Sequence, residues 1–170
     1  MFSKSIRCAL IASGLVLGAT AAFSPTAFAQ TAATVPLSGT VNSTLAITAA
    51  PTADAALLDL DGDGTAIEHI VKAADLEIAT NNEQGYTLTV SSGNLTKDGG
   101  SPIAYQVTTV LDTATAPATG DFAIASGTDY TAATAASGSV PQDLYIKYTP
   151  AALQDAGAYV ATINLTVADN

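Results

Sequence analysis

Tyr159-Val160-Ala161-Thr162-Ile163-Asn164-Leu165-Thr166-Val167 alternates side chain by side chain. Tyr159, Ala161, Ile163, Leu165 and Val167 fall on one face of an extended chain, and Val160, Thr162, Asn164 and Thr166 on the other. Successive side chains of a β-strand point to opposite faces, so this period of two predicts a half-buried strand. A helix would need apolar residues three and four apart, and no stretch of convincing length offers them.

The same period recurs outward from this stretch. Tyr86-Thr87-Leu88-Thr89-Val90 sets apolar residues against threonines, Ile103, Tyr105 and Val107 mark another strand, and Leu144, Ile146 and Tyr148 a fourth. Residues 76–80 and 122–125 are shorter candidates. Val35, Leu37, Val41, Leu45 and Ile47 alternate over a long extended stretch interrupted by Gly39. Turn chemistry separates these runs: Asn81 to Gly85, Lys97-Asp98-Gly99-Gly100 and Ser137-Gly138-Ser139. The Ala-rich segments 49–56 and 131–137, flanked by Thr, Pro, Asp and Gly, are expected as loops, with room for one helical turn. Many short strands at this spacing predict an all-β fold, an antiparallel immunoglobulin-like β-sandwich. Asp155-Ala156-Gly157-Ala158-Tyr159 adds the spacing of a tyrosine corner, in which the phenol bonds back to nearby backbone.

The first 29 residues read differently. Lys4 and Arg7 precede an apolar run from Cys8 to about Ala22, followed by Pro25 and Ala27-Phe28-Ala29. Charged, apolar and small-residue regions in that order predict a cleaved secretory signal peptide, with Gln30 as the mature terminus. The run falls short of the roughly 20 residues that span a bilayer. Cys8 leaves with the signal, so the mature chain is expected to be free of cysteine and exported, at the cell surface or extracellular.

Gln30 to Asn170 is 141 residues, the size of one domain, with no internal repeat and no break in composition. Lys72, Lys97 and Lys147 stand against 15 acidic residues, a formal charge of −12 (3 − 15). Nucleic acid and anionic lipid bind through clustered Lys and Arg, so neither is an expected partner, and no membrane insertion follows cleavage. Without disulfides, an exported domain must be held by its core, an ion or a neighbouring chain.

Catalysis needs a poised acid, base or nucleophile with a partner that tunes it. The mature chain has one histidine, His69, in Ile67-Glu68-His69-Ile70, and no serine in a Gly-x-Ser-x-Gly elbow. Paired carboxylates could cleave glycosides, but sugar sites lean on aromatic platforms and only 6% of residues are aromatic. No enzyme is expected, and His69 reads as an ordinary surface residue. Asp59-Leu60-Asp61-Gly62-Asp63-Gly64 holds the first half of a calcium loop, with Asp59, Asp61 and Asp63 at positions 1, 3 and 5 and glycine at 6. The second half departs: position 12 is Ile70, and Glu68 stands two residues early. Calcium on Asp59, Asp61 and Asp63, or a solvated acidic turn, both fit these residues.

Three stretches together resemble bacterial surface-fibre subunits of the chaperone–usher, pilin-like class. Asn81-Asn82-Glu83-Gln84-Gly85-Tyr86-Thr87-Leu88-Thr89-Val90 is similar to the central strand of such domains, and Asp155 to Ala168 to their closing strand. Val35 to Asp63 resembles their extended first strand and the turn that follows it. Only the cysteine-free members of that class fit. The resemblance implies a subunit whose sandwich is completed by the N-terminal extension of the next copy, with a periplasmic chaperone as a partner before assembly. Val35, Leu37, Gly39 and Val41 would then be donor residues, within a segment 30–48 ahead of a sandwich at 49–170. The same segment also reads as the domain's own first strand. Gly85-Tyr86-Thr87-Leu88 and the closing strand bear a weaker resemblance to WxL-type cell-wall-binding domains, with Tyr86 and Asn164 where the tryptophans would be.

The expectation for function is a self-assembling structural subunit of a fimbrium-like fibre or coat serving cell adhesion. The alternative is a monomeric, secreted or surface module that binds polysaccharide or peptidoglycan, with or without calcium.

Overall fold

The computed structural model describes residues 33–61 and 64–170. The signal segment, its cleavage site at Gln30, Cys8 and Asp63 lie outside the described residues. The chain divides into two units, Met1–Gly39 and Thr40–Asn170. In the first, residues 33–39 have no regular structure and are exposed.

The second unit is an antiparallel sandwich. Its strands are β1 (Leu45–Pro51), β2 (His69–Thr80), β3 (Tyr86–Val90), β4 (Gly93–Leu95), β5 (Ile103–Leu111), β6 (Tyr130–Ala133), β7 (Gly138–Tyr148) and β8 (Leu165–Asp169). One sheet runs β1-β2-β7-β5-β4 and the other β6-β3-β8. All pairs are antiparallel. The period of two decides which side chains meet between the sheets. Tyr86, Leu88 and Val90 of β3 are wholly buried against Leu76 and Ile78 of β2 and Leu144, Ile146 and Tyr148 of β7. Each such side chain contributes about 1.5–3 kcal/mol by leaving water, which holds the sheets together without a disulfide.

Several elements depart from the sequence expectations. Residues 131–133, expected in a loop, lie in β6, because β3 offers a free edge that Thr131 to Ala133 pair with despite the poor strand propensity of the two alanines. Gly138 and Ser139, expected in a turn, open β7 instead. Pro141 sits inside this central strand at the point where its pairing with β5 stops. Its carbonyl accepts from Asp112 N (3.3 Å) on the β5 side, and with no N–H to return that bond Pro141 ends the ladder to β5, whose last pair is Leu111 and Gln142. Residues 122–125 form no strand: Phe122 is a buried anchor, and Gln106 Nε2 donates to Phe122 O (3.1 Å) and Ile124 O (2.7 Å). The extended start enters a sheet only at Leu45, so the boundary expected after residue 48 falls inside β1.

The turn between β2 and β3 explains its own sequence. Gly85 takes φ +73°, and a Cβ there would lie 2.2 Å from Thr134 O, so only glycine fits. Asn81 Oδ1 accepts from Thr44 N (2.8 Å) while its Nδ2 donates to Asn42 O (2.9 Å). Asn82 Nδ2 donates to Asn170 O (2.9 Å), and Asp169 accepts from Ser43 Oγ and from Thr80 Oγ1 (2.7 Å). Those two hydroxyls hold the Asp169 carboxyl below the usual range. The polar turn thus ties the start of β1 and the end of β8 to one pole of the sandwich.

Candidate functional site

The sandwich is open along one seam. β1 ends one sheet and β8 ends the other, and both leave the faces they turn to the core only half covered. Leu45, Ile47, Ile163, Leu165 and Val167 pack on the core yet are half-buried, while Ala49 and Ala161 are exposed. On the inner strands, by contrast, Ile78, Leu88 and Val90 have 0% exposure. The stretch predicted as one continuous strand explains part of the gap. Only Leu165–Asp169 joins β3; Val160 makes an isolated bridge to Thr96, with N–H to carbonyl bonds of 2.9 Å in both directions. Ala161 to Asn164 join no sheet.

An apolar cavity of about 330 Å³ fills this seam. Ala49 and Pro51 form one wall, Ala161 to Ile163 with Leu165 the other, and Ala73, Leu144 and Ile146 the floor. The groove is closed at one end, where Ser43 bonds Asp169 across the two edges. At the other end stands the segment after β1, which carries a single 3-10 turn at Asp54–Ala56.

Exposed apolar residues of matching pattern stand at the start of the described chain. Residues 33–44 form no strand, and Val35, Leu37 and Val41 are 80%, 93% and 88% exposed. Leaving several large apolar side chains in water within one short segment is a feature of association surfaces.

The expected calcium residues are only partly visible. Asp59 and Asp61 are exposed, and Asp59 Oδ1 accepts from Asp61 N (3.2 Å), an ordinary Asx turn. The carbonyl of Asp59 accepts from Tyr148 Oη (3.1 Å). His69, expected at the surface, is half-buried and stacks on Tyr148 at 5.3 Å, with its Nε2 buried and without a hydrogen-bond partner among the described residues. The tyrosine corner takes a different form: Tyr159 Oη accepts from the Gln154 side chain (2.6 Å) rather than bonding backbone, and Asp155 caps Ser101 N (2.8 Å).

One acidic cluster went unforeseen. Asp75, Asp112 and Asp143 converge from β2, the residue after β5, and β7. Their sequence separation hides them, and only the β2–β7–β5 ladder brings them together. Lys72 Nζ already sits among them, 2.5 Å from Asp75 Oδ1 and 2.7 Å from Asp143 Oδ1. The carboxylates of Asp143 and then Asp75 hold the ammonium charged far above its ordinary range. Asp143 is buried, and its Oδ1 is satisfied by this ion pair rather than by an aligned hydrogen bond. The lysine fills the place a cation would take, so the cluster reads as a structural ion-pair network.

Fold and seam define the class: an all-β, antiparallel, immunoglobulin-like sandwich left open between the edge strands β1 and β8. Among protein-family models, curated proteins and solved structures, none matches the chain.

Proposed function

We propose that the protein is a structural subunit of an exported surface fibre or coat, assembled by β-strand addition. The arm of one copy, residues 30–41, occupies the groove between β1 and β8 of another. The observation that carries this reading is the open apolar seam together with a chain segment of exposed, alternating apolar residues. A strand laid along Ala161 to Leu165 offers its backbone to the edge that lacks a ladder, and its alternate side chains to the cavity. Gly39 falls within the alternation and lets the two backbones approach closely at that point. The exposed apolar groove would need a cover before assembly, which makes a periplasmic chaperone the expected early partner.

Deleting residues 30–41 should leave a folded chain, by circular dichroism, that forms no filaments by electron microscopy. Leu37→Asp should do the same, because an unpaired carboxylate in an apolar pocket costs several kcal/mol. Since Leu37 is exposed in the single chain, the substitution should not unfold the monomer. A truncated chain that still forms filaments ends the strand-addition reading. A native chain that stays monomeric under all conditions favours the alternative, a surface binding module.

A further inference from the structure

Resting on the strand-addition reading, the geometry also says how the groove is kept partly shut before a second copy arrives. Ala55 and Leu58 line the 330 Å³ groove and, on their other side, a second cavity of about 480 Å³ bounded by Leu57, Leu60, Tyr159 and Val160. Together with Leu95 and Ala161, which also line both, they form the wall that separates the apolar groove from a space of mixed polarity. The free edge from Ala161 to Asp169 is nine residues, about 30 Å at strand rise, and the alternating part of the arm, Val35 to Val41, is seven residues, about 23 Å. Ser43 and Asp169 close the far end of that edge, so an arm seated on the cavity beside Ala161 to Leu165 meets Ala55 and Leu58 at its other end.

The wall is held at its ends and weakly between them. Thr52, just after β1, donates from N to Ala73 O (3.0 Å) and from Oγ1 to Lys72 O (2.5 Å), at the irregularity in β2 between Lys72 and Ala74. Asp59 O is held by Tyr148 Oη. Between these anchors the backbone bonds are internal to the turn, Ala56 N to Ala53 O and Leu57 N to Asp54 O, both 3.1 Å. Leu57 is 82% exposed, while Ala55 and Leu58 are half-buried. A segment with few buried contacts and no ladder opens at far less cost than the sheets it rests on.

We propose that residues 53–58 form a strap, hinged at Thr52, that closes one end of the groove in the single chain and swings out when the arm of a second copy docks. The strap shields apolar floor that would otherwise be exposed, and its displacement frees the end of the groove lined by Ala55 and Leu58 for the donor's side chains.

The test uses the full chain with Leu37→Asp, which keeps its own arm from docking, and a synthetic peptide of residues 30–41. In a chain also carrying Cys8→Ser and Ala55→Cys, maleimide labelling at position 55 should quicken about tenfold or more when the peptide saturates the chain, since the swing carries that half-buried position out of the groove wall. Peptide that binds, by fluorescence polarisation, while labelling at position 55 stays unchanged overturns the strap and leaves strand addition standing. Peptide that does not bind at all overturns both.

Discussion

Gly85 shows how one residue can be fixed by geometry that its neighbours create. Its left-handed φ tolerates a side chain poorly, and the carbonyl of Thr134 leaves no room for one. That carbonyl cannot retreat cheaply, because Thr134 N donates to Tyr86 O (2.9 Å) and Asn170 Nδ2 donates to Thr134 O (2.9 Å). Gly85→Ala is expected to destabilise the chain by about 3 kcal/mol or more, measured by denaturant unfolding. Gly39, with nothing within 4 Å of its Cβ position, should accept alanine without loss of monomer stability. The need for glycine at 85 was legible as turn chemistry; the clash that enforces it was not, because Thr134 is distant in sequence and meets Gly85 only through the pairing of β3 with β6.

At the scale of elements, a strand's worth to the fold depends on what covers it. Ile78 in β2 and Ile163 beside β8 are the same residue type in the same alternating pattern. One is fully buried between the sheets, and the other looks into the open groove. Ile78→Ala should cost about 3–4 kcal/mol and Ile163→Ala about 1 kcal/mol in the single chain, since truncation penalties scale with the cavity left behind. Chemical denaturation of both variants checks this contrast; equal penalties would mean that the seam is closed in solution. β6 teaches the complementary point. Its residues argue for a loop, and it is a strand because β3 presents a row of unpaired backbone groups that must be satisfied.

At the scale of the whole molecule, three tyrosines sit inside the sandwich, each far from water. Burial raises the phenols of Tyr86 and Tyr105, and burial together with the charge of Asp59 pushes Tyr148 up to about 12. An unfolded tyrosine ionises near 10. A group whose folded pKa is raised stabilises the fold fully below its unfolded value and loses that contribution as pH climbs through the folded one. Stability should therefore be level up to about pH 10 and fall by about 2 kcal/mol or more by pH 12, with Tyr148→Phe removing part of the slope. Denaturant midpoints taken across that range give the measurement. The sequence alone determined that the chain is all-β and antiparallel, and which residues of Tyr86–Val90, Ile103–Val107 and Leu144–Tyr148 face the core, because a period of two is a local property of an extended chain. Only the tertiary structure decided which edges remain unpaired, that Ala161 to Asn164 join no sheet, that β1 and β8 enclose a groove, and that Lys72 gathers Asp75 and Asp143. Those features depend on which strands become neighbours, and strand order is set by packing across the whole molecule rather than by any single segment.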